Sequence, residues 1–172
     1  MKIFKIAFII LTFSMISCKQ NSITKPEDIG KNIFELLKGI DKKTVTDYNI
    51  HTITYEELKD LVKNSKAKLG YYKGDLESLS AEQFANKSLA NFNDIKNAGE
   101  KFKIDWNKIT YSDFKLEKSE FEMYPFGITK AVKGETYFKN YDGKIYFIKS
   151  MSFYDGDGYK TIFLAEIEPK DN

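Results

Sequence analysis

The sequence predicts an α+β fold: N-terminal helices packed on a C-terminal four-stranded antiparallel meander. Three observations predict it. Apolar residues recur at helical spacing through the first hundred positions, and from Ile109 the period shifts to that of strands. Two Ser/Thr-x-x-Glu/Gln capping boxes, at Thr54/Glu57 and Ser80/Gln83, each stand before an apolar run. In the second half, Pro125-Phe126-Gly127, Asp142-Gly143 and Asp155-Gly156-Asp157-Gly158 separate β-rich runs, and Asp-Gly between apolar runs is a strong hairpin signal.

The elements follow in order. A first helix is expected over residues 26–40, with Pro26 in its first turn, Glu27 and Asp28 at its positive end and Gly39 near its exit. Ile29, Ile33, Leu36, Leu37 and Ile40 make its apolar stripe. The stretch 41–51 reads as a polar interruption. A second helix starts from Thr54 and runs to about Lys68, with Ile53 stapled to Leu58. A third starts from Ser80, with Leu79 stapled to Phe84, and ends at Ala98-Gly99. Strands are expected over 109–118, 128–140, 144–154 and 159–168.

The last two strands carry apolar residues on both faces, so one face packs on helices and the other lines a pocket or meets a partner. The residues assigned to that second face are Tyr146, Ile148, Ile162 and Leu164. The opposite set, Phe147, Met151 and Phe163, takes their place if the helices choose the other side.

The chain has 172 residues; its 27 cationic side chains are all lysine, against 25 Asp and Glu, with one histidine (His51) and one cysteine (Cys18). These counts exclude disulfide scaffolds, zinc fingers and histidine-rich metal cages. Residues 1–17 read as a signal peptide: Lys2 and Lys5 precede an apolar run, 6–16, too short for a permanent membrane span. Residues 18–25 are then a tether, and 26–172 a single domain. Without Lys2 and Lys5 the lysines equal the acids, and a neutral chain with no arginine lacks the field that nucleic-acid binders need.

Met15-Ile16-Ser17-Cys18 resembles the lipobox of bacterial lipoproteins. The resemblance implies that Cys18 becomes the first mature residue and carries acyl chains that anchor the protein in a membrane of the cell envelope, and two or more chains give stable anchoring. Lys19-Gln20 lacks the aspartate that retains such proteins in the inner membrane, which favours the outer one. The element order over residues 26–168, with Trp106-Asn107-Lys108-Ile109 leading into the strands, resembles the nuclear transport factor 2-like, or cystatin-like, cone found in small exported lipoproteins. That fold hosts binding modules, toxin-neutralising proteins, isomerases and dehydratases, and does not choose among them.

The constellations of chemistry-bearing residues are sparse. Asp155, Asp157 and Glu166 have the first, third and twelfth places of a calcium loop, yet Lys160 stands where glycine is needed, so the segment reads as a hairpin turn. His51 has no cysteine or second histidine to pair with in the mature chain; a Ser-His-acid triad is arithmetically open but no Gly-x-Ser-x-Gly elbow is present, so it reads as a solvent-exposed or capping residue. No motif calls for a cofactor or metal. Ketosteroid-isomerase-like members of the resembled fold pair a carboxylate with a tyrosine; Tyr111 and Asp113 on one strand face, with Tyr137 and Tyr146, are the residues that the likeness offers here. Tyr71-Tyr72 and Tyr124-Pro125-Phe126 are aromatic loop segments, read either as contact surface or as local packing at turns. The expected function is therefore that of a non-enzymatic, lipid-anchored binding or interaction protein, whose partner is a protein or a small apolar ligand. An inhibitor such as an immunity or toxin-neutralising lipoprotein, and a small pocket isomerase or hydrolase, are the alternatives.

Overall fold

The computed structural model describes residues 23–170; the expected signal peptide at 1–17 and the expected lipidation at Cys18 lie outside them. Within the described residues the layout is α+β, with helices preceding one antiparallel sheet of strand order β1-β2-β3-β4, and it is compatible with a cystatin-like fold.

A 3-10 turn, Pro26–Asp28, leads into α1 (Ile29–Leu37). The expected fifteen-residue helix stops early because Lys38 is extended and Gly39 takes a left-handed conformation, φ 67°, which a glycine adopts without steric penalty. The interruption at 41–51 holds a helix of its own, α2 (Val45–His51), started by a third capping box between Thr44 and Asp47. The next helix, α3 (Tyr55–Lys63), has the expected Thr54/Glu57 box but ends five residues short of Lys68. Asn64 turns the chain by accepting the Lys66 amide on its side chain and donating to the Asp155 carbonyl. A short α4 (Tyr72–Ser78) follows.

The longest helix, α5 (Ala81–Phe102), begins at the Ser80/Gln83 box and passes through Gly99 instead of ending there. Gly99 is needed for space: a Cβ on it would stand 2.3 Å from Trp106 Nε1. The left-handed exit is Lys103. Strands β1 (Thr110–Met123), β2 (Gly127–Lys139), β3 (Ile145–Tyr154) and β4 (Tyr159–Pro169) then form the meander, with β1 longer than expected at its far end. At the β3–β4 joint, Asp155 Oδ1 accepts the amides of Asp157 and Gly158 at 2.9 and 2.8 Å, the geometry of a turn and not of a cation loop.

Two apolar cores lie on opposite faces of the sheet, since neighbouring strand residues point to opposite sides. The inner-face core joins Ile33 and Leu37 of α1, Tyr48 of α2, and Phe92 and Ile95 of α5 to Val132, Phe138, Tyr146, Ile148, Leu164 and Ile167. The outer-face core joins Leu58, Leu61 and Val62 of α3 and Phe84 of α5 to Ala131 and Phe153, with Met151 and Ile162 at its margin. It covers the outer face only at the end carrying the β1–β2 and β3–β4 turns. The chain's first described contact is Ile23, which bridges to Tyr159 on β4.

Candidate functional site

The face taken by α1 and α5 corrects the assignment of the contact surface. Tyr146, Ile148 and Leu164 are buried in the inner-face core, where the Tyr146 hydroxyl reaches the Phe102 carbonyl, so none of the three meets a partner. The open face is that of Phe147, Met151 and Phe163. Ile162 is half-buried at the margin of the outer-face core, brought there by a register shift between β3 and β4 next to Met151.

Strand register arranges this outer face in rows. Asp113, Tyr137, Phe147 and Glu168 lie across from one another in the first. Lys115, Glu135 and Lys149 make the second, and Glu117, Lys133, Met151 and Phe163 the third. In the second and third rows cross-strand neighbours of opposite charge stand side by side and attract. In the first row the rings of Tyr137 and Phe147 lie 5.3 Å apart, and the ammonium groups of Lys115 and Lys170 stand 5.0 and 5.5 Å from the Tyr137 ring centre. Their aliphatic stems close the sheet over that row.

The electrostatics are those of engaged groups. The Tyr137 hydroxyl donates to the Glu135 carboxylate, and that bond, with some burial, raises the phenol above its ordinary pKa. Lys149 pairs with Glu168 at 2.9 Å, and that hydrogen bond holds its ammonium above the usual lysine value. Between the second and third rows the face sinks into a groove of about 550 Å³, lined by Lys115, Glu117, Lys133, Glu135, Lys149, Met151 and Phe163. A second cavity of about 390 Å³ lies behind Met151 and Phe163, walled by Ile53, Leu58, Leu76, Leu79, Phe84 and Ile162. The two spaces share those two side chains.

The carboxylate-tyrosine grouping offered by the isomerase likeness is divided: Asp113 and Tyr137 are cross-strand neighbours on the outer face, while Tyr111 and Tyr146 lie on the helix side. Tyr111 pairs with Phe138 and Asp113 with Tyr137, because β1 carries one extra residue, Ser112, between them. Tyr111 therefore turns to the helix side, its ring 5.5 Å from that of Phe34, while Asp113 faces outward and accepts the Phe114 amide. Tyr146 is inside and Tyr137 outside. Position His51 also differs from the expectation: it is half-buried, with Nδ1 3.0 Å from Asn32 Oδ1, and burial together with nearby Lys43 lowers its pKa. Among the described residues no group of three His, Cys, Asp or Glu side chains is placed to hold a metal ion, and no helix is long and apolar enough to cross a membrane.

What sequence reasoning missed is the charged part of this face. The signal was available: Lys115, Glu117, Lys133, Glu135 and Lys149 sit at alternate positions, the spacing of one strand face. Compared with family models, curated proteins and solved structures, the chain matches none of them.

Proposed function

We propose that the protein is a lipid-anchored binding module of the bacterial cell envelope, held in the outer membrane through acyl chains on Cys18. It acts by receiving a partner protein on the outer face of its sheet, without catalytic chemistry of its own. The carrying observation is the groove between the second and third rows: an apolar floor of Met151 and Phe163, rimmed by charges of both signs. Phe163 is 46% exposed, a large apolar surface left uncovered next to paired ions. Such a surface suits a segment that brings one apolar anchor flanked by charged residues, the arrangement of a buried contact centre with a polar rim.

The experiment compares the mature lipoprotein with its Phe163→Lys variant as bait in detergent-solubilised envelope extract. A partner captured in stoichiometric amount by the wild type and lost with Phe163→Lys supports the reading. Equal capture by both removes the groove from the interface. Inhibition of an envelope enzyme or toxin by the captured complex would specify the inhibitor form of the same reading.

A further inference from the structure

The cavity of about 390 Å³ among the helices α2 to α5 and the last two strands has walls of two kinds. Its volume falls within the range of roughly 300–1,000 Å³ typical of small-ligand sites. Leu58 of α3, Leu76 of α4, Leu79, and Met151, Ile162 and Phe163 of the sheet supply hydrocarbon. Another wall is α5, where Phe84, Lys87, Ser88 and Asn91 are spaced i, i+3, i+4 and i+7 and so share one face of the helix. Beyond Phe84 that face is polar.

Some polar groups of the lining are committed to the fold. The Thr52 hydroxyl donates to the Tyr48 carbonyl at 3.0 Å, and Asn91 hydrogen-bonds the Tyr48 hydroxyl. Two groups are not committed. The Ser88 side chain is 7% exposed and has no hydrogen-bond partner among the described residues. The sealed side-chain oxygens without a partner are those of Asn49 and Thr136, so the Ser88 oxygen keeps access to open space, and the cavity is the space it lines. A buried hydroxyl in that state is a standing cost that an incoming ligand oxygen removes. One residue earlier, Lys87 is exposed at the opening and pairs with no acid among the described residues. Among the described residues that line the cavity it is the only charged one, with no carboxylate beside it to cancel its field.

We propose that this cavity binds an apolar monocarboxylate, its hydrocarbon tail among Leu58, Leu79, Met151 and Ile162 and its carboxylate at Lys87 and Ser88. The head group follows from the two free donors. A carboxylate brings two acceptor oxygens and one negative charge, which match one ammonium and one hydroxyl on consecutive residues. An alcohol leaves the ammonium without a counter-charge, and an amine meets it with like charge. The tail follows from the remaining walls, which offer hydrocarbon a place out of water. This site goes beyond the partner surface and does not depend on it. The two meet at Met151 and Phe163, so a bound tail packs against the back of the groove's floor.

The test is methyl NMR of the full chain, kept in a steroid-based detergent that has no alkyl tail to compete, and titrated with octanoate, octanol and octylammonium. Met151 and Ile162 report on the cavity, and Ile33 and Ile95 of the inner-face core are the controls. Octanoate should shift the Met151 and Ile162 methyls and leave Ile33 and Ile95 in place, with a Kd about tenfold below that of octanol and octylammonium weaker still. Lys87→Gln, a change at an exposed position, should bring octanoate level with octanol, and Ser88→Ala should weaken octanoate by roughly threefold. Equal binding of the three probes overturns the carboxylate assignment. A preference for octanoate that survives Lys87→Gln overturns the placement of the head group. Unmoved Met151 and Ile162 methyls with every probe, in a chain whose spectrum is that of the folded protein, overturn the cavity as a site.

Discussion

The inner-face and outer-face cores cover the same sheet with different material. Over the inner face lie α1 and the C-terminal half of α5, regular helices whose apolar stripes meet the alternating residues of β2, β3 and β4. Over the outer face lie short helices and their links: Ile53 before α3, Leu69 after it, and Phe84 in the first turn of α5. The inner core rests on the C-terminal half of the 22-residue α5 together with the nine-residue α1, and the outer one on α3 and α4, of nine and seven residues, with only the first turn of α5. Helices of that length are not stable on their own, so their order depends on the tertiary contact. The difference teaches that the two faces should loosen separately, with the open outer groove tied to the weaker side.

The largest expected effect breaks the comparison from the inner side. Leu37→Ala removes a fully buried side chain and should lower stability by about 2–5 kcal/mol, shifting the whole unfolding transition. Leu58→Ala removes an equally buried one from the outer-face core. Its distinctive outcome is local: amide exchange in α3 and α4 accelerates before that of β2 and β3. Trp106, the single tryptophan, sits in the inner-face core and reports by fluorescence on that side only. If Leu58→Ala instead raises exchange uniformly across the sheet, the cores are one cooperative unit.

A smaller effect isolates the ion pair that ties α3 to β4. Glu57 Oε1 stands 2.6 Å from Lys160 Nζ, and the other carboxylate oxygen closes the Thr54 cap at 2.9 Å from its amide. Burial pushes Glu57 up, but the Lys160 ammonium and the Thr54 amide and hydroxyl together hold it below the ordinary carboxylate value. Its folded pKa is depressed, so its contribution is present above the unfolded value of about 4.3 and is lost as pH falls through the folded one. Glu57→Gln should therefore destabilise by about 1–2 kcal/mol at neutral pH. Urea midpoints of variant and wild type should converge once the pH has fallen below the lowered pKa of Glu57. A constant gap between them at both pH values would assign the loss to packing and not to charge.

The smallest effect sharpens the contrast with a gain. Gly74 lies inside α4 with nothing within 4 Å of where a Cβ would stand, so Gly74→Ala should stabilise by about 0.5–1 kcal/mol through helix propensity. The gain should appear as slower amide exchange in α4. The inner side has no such slack: a Cβ on Gly30 would stand 2.4 Å from Phe114. No change in α4 exchange would mean that this helix is already fixed by its packing.

How much was legible follows from the same contrast. The two capping boxes and the Asp-Gly turns are local signals whose chemistry is complete within four residues, and the elements they mark begin where expected, although α3 and α5 end elsewhere. The Thr44/Asp47 box uses the same grammar, yet α2 has few apolar residues to draw attention to it. Helix α4 has no side-chain cap at all. The choice of sheet face was not legible, because Tyr146 and Phe147, or Ile148 and Met151, are equally apolar and only the helices decide which are covered. Nor was the separation of Tyr111 from Asp113, since two residues apart in a strand means one face unless an extra residue intervenes.

That extra residue, Ser112, works as a phase setting for everything that follows it in β1. With it, Phe114 and Leu116 point to the helices and Lys115 and Glu117 to the open face. Remove one residue there and the parity of the strand inverts against β2: two apolar side chains move into water and two charges move under α1. The charged rows and the groove between them are thus read out from one position. The open face of the sheet is held in register by a single count.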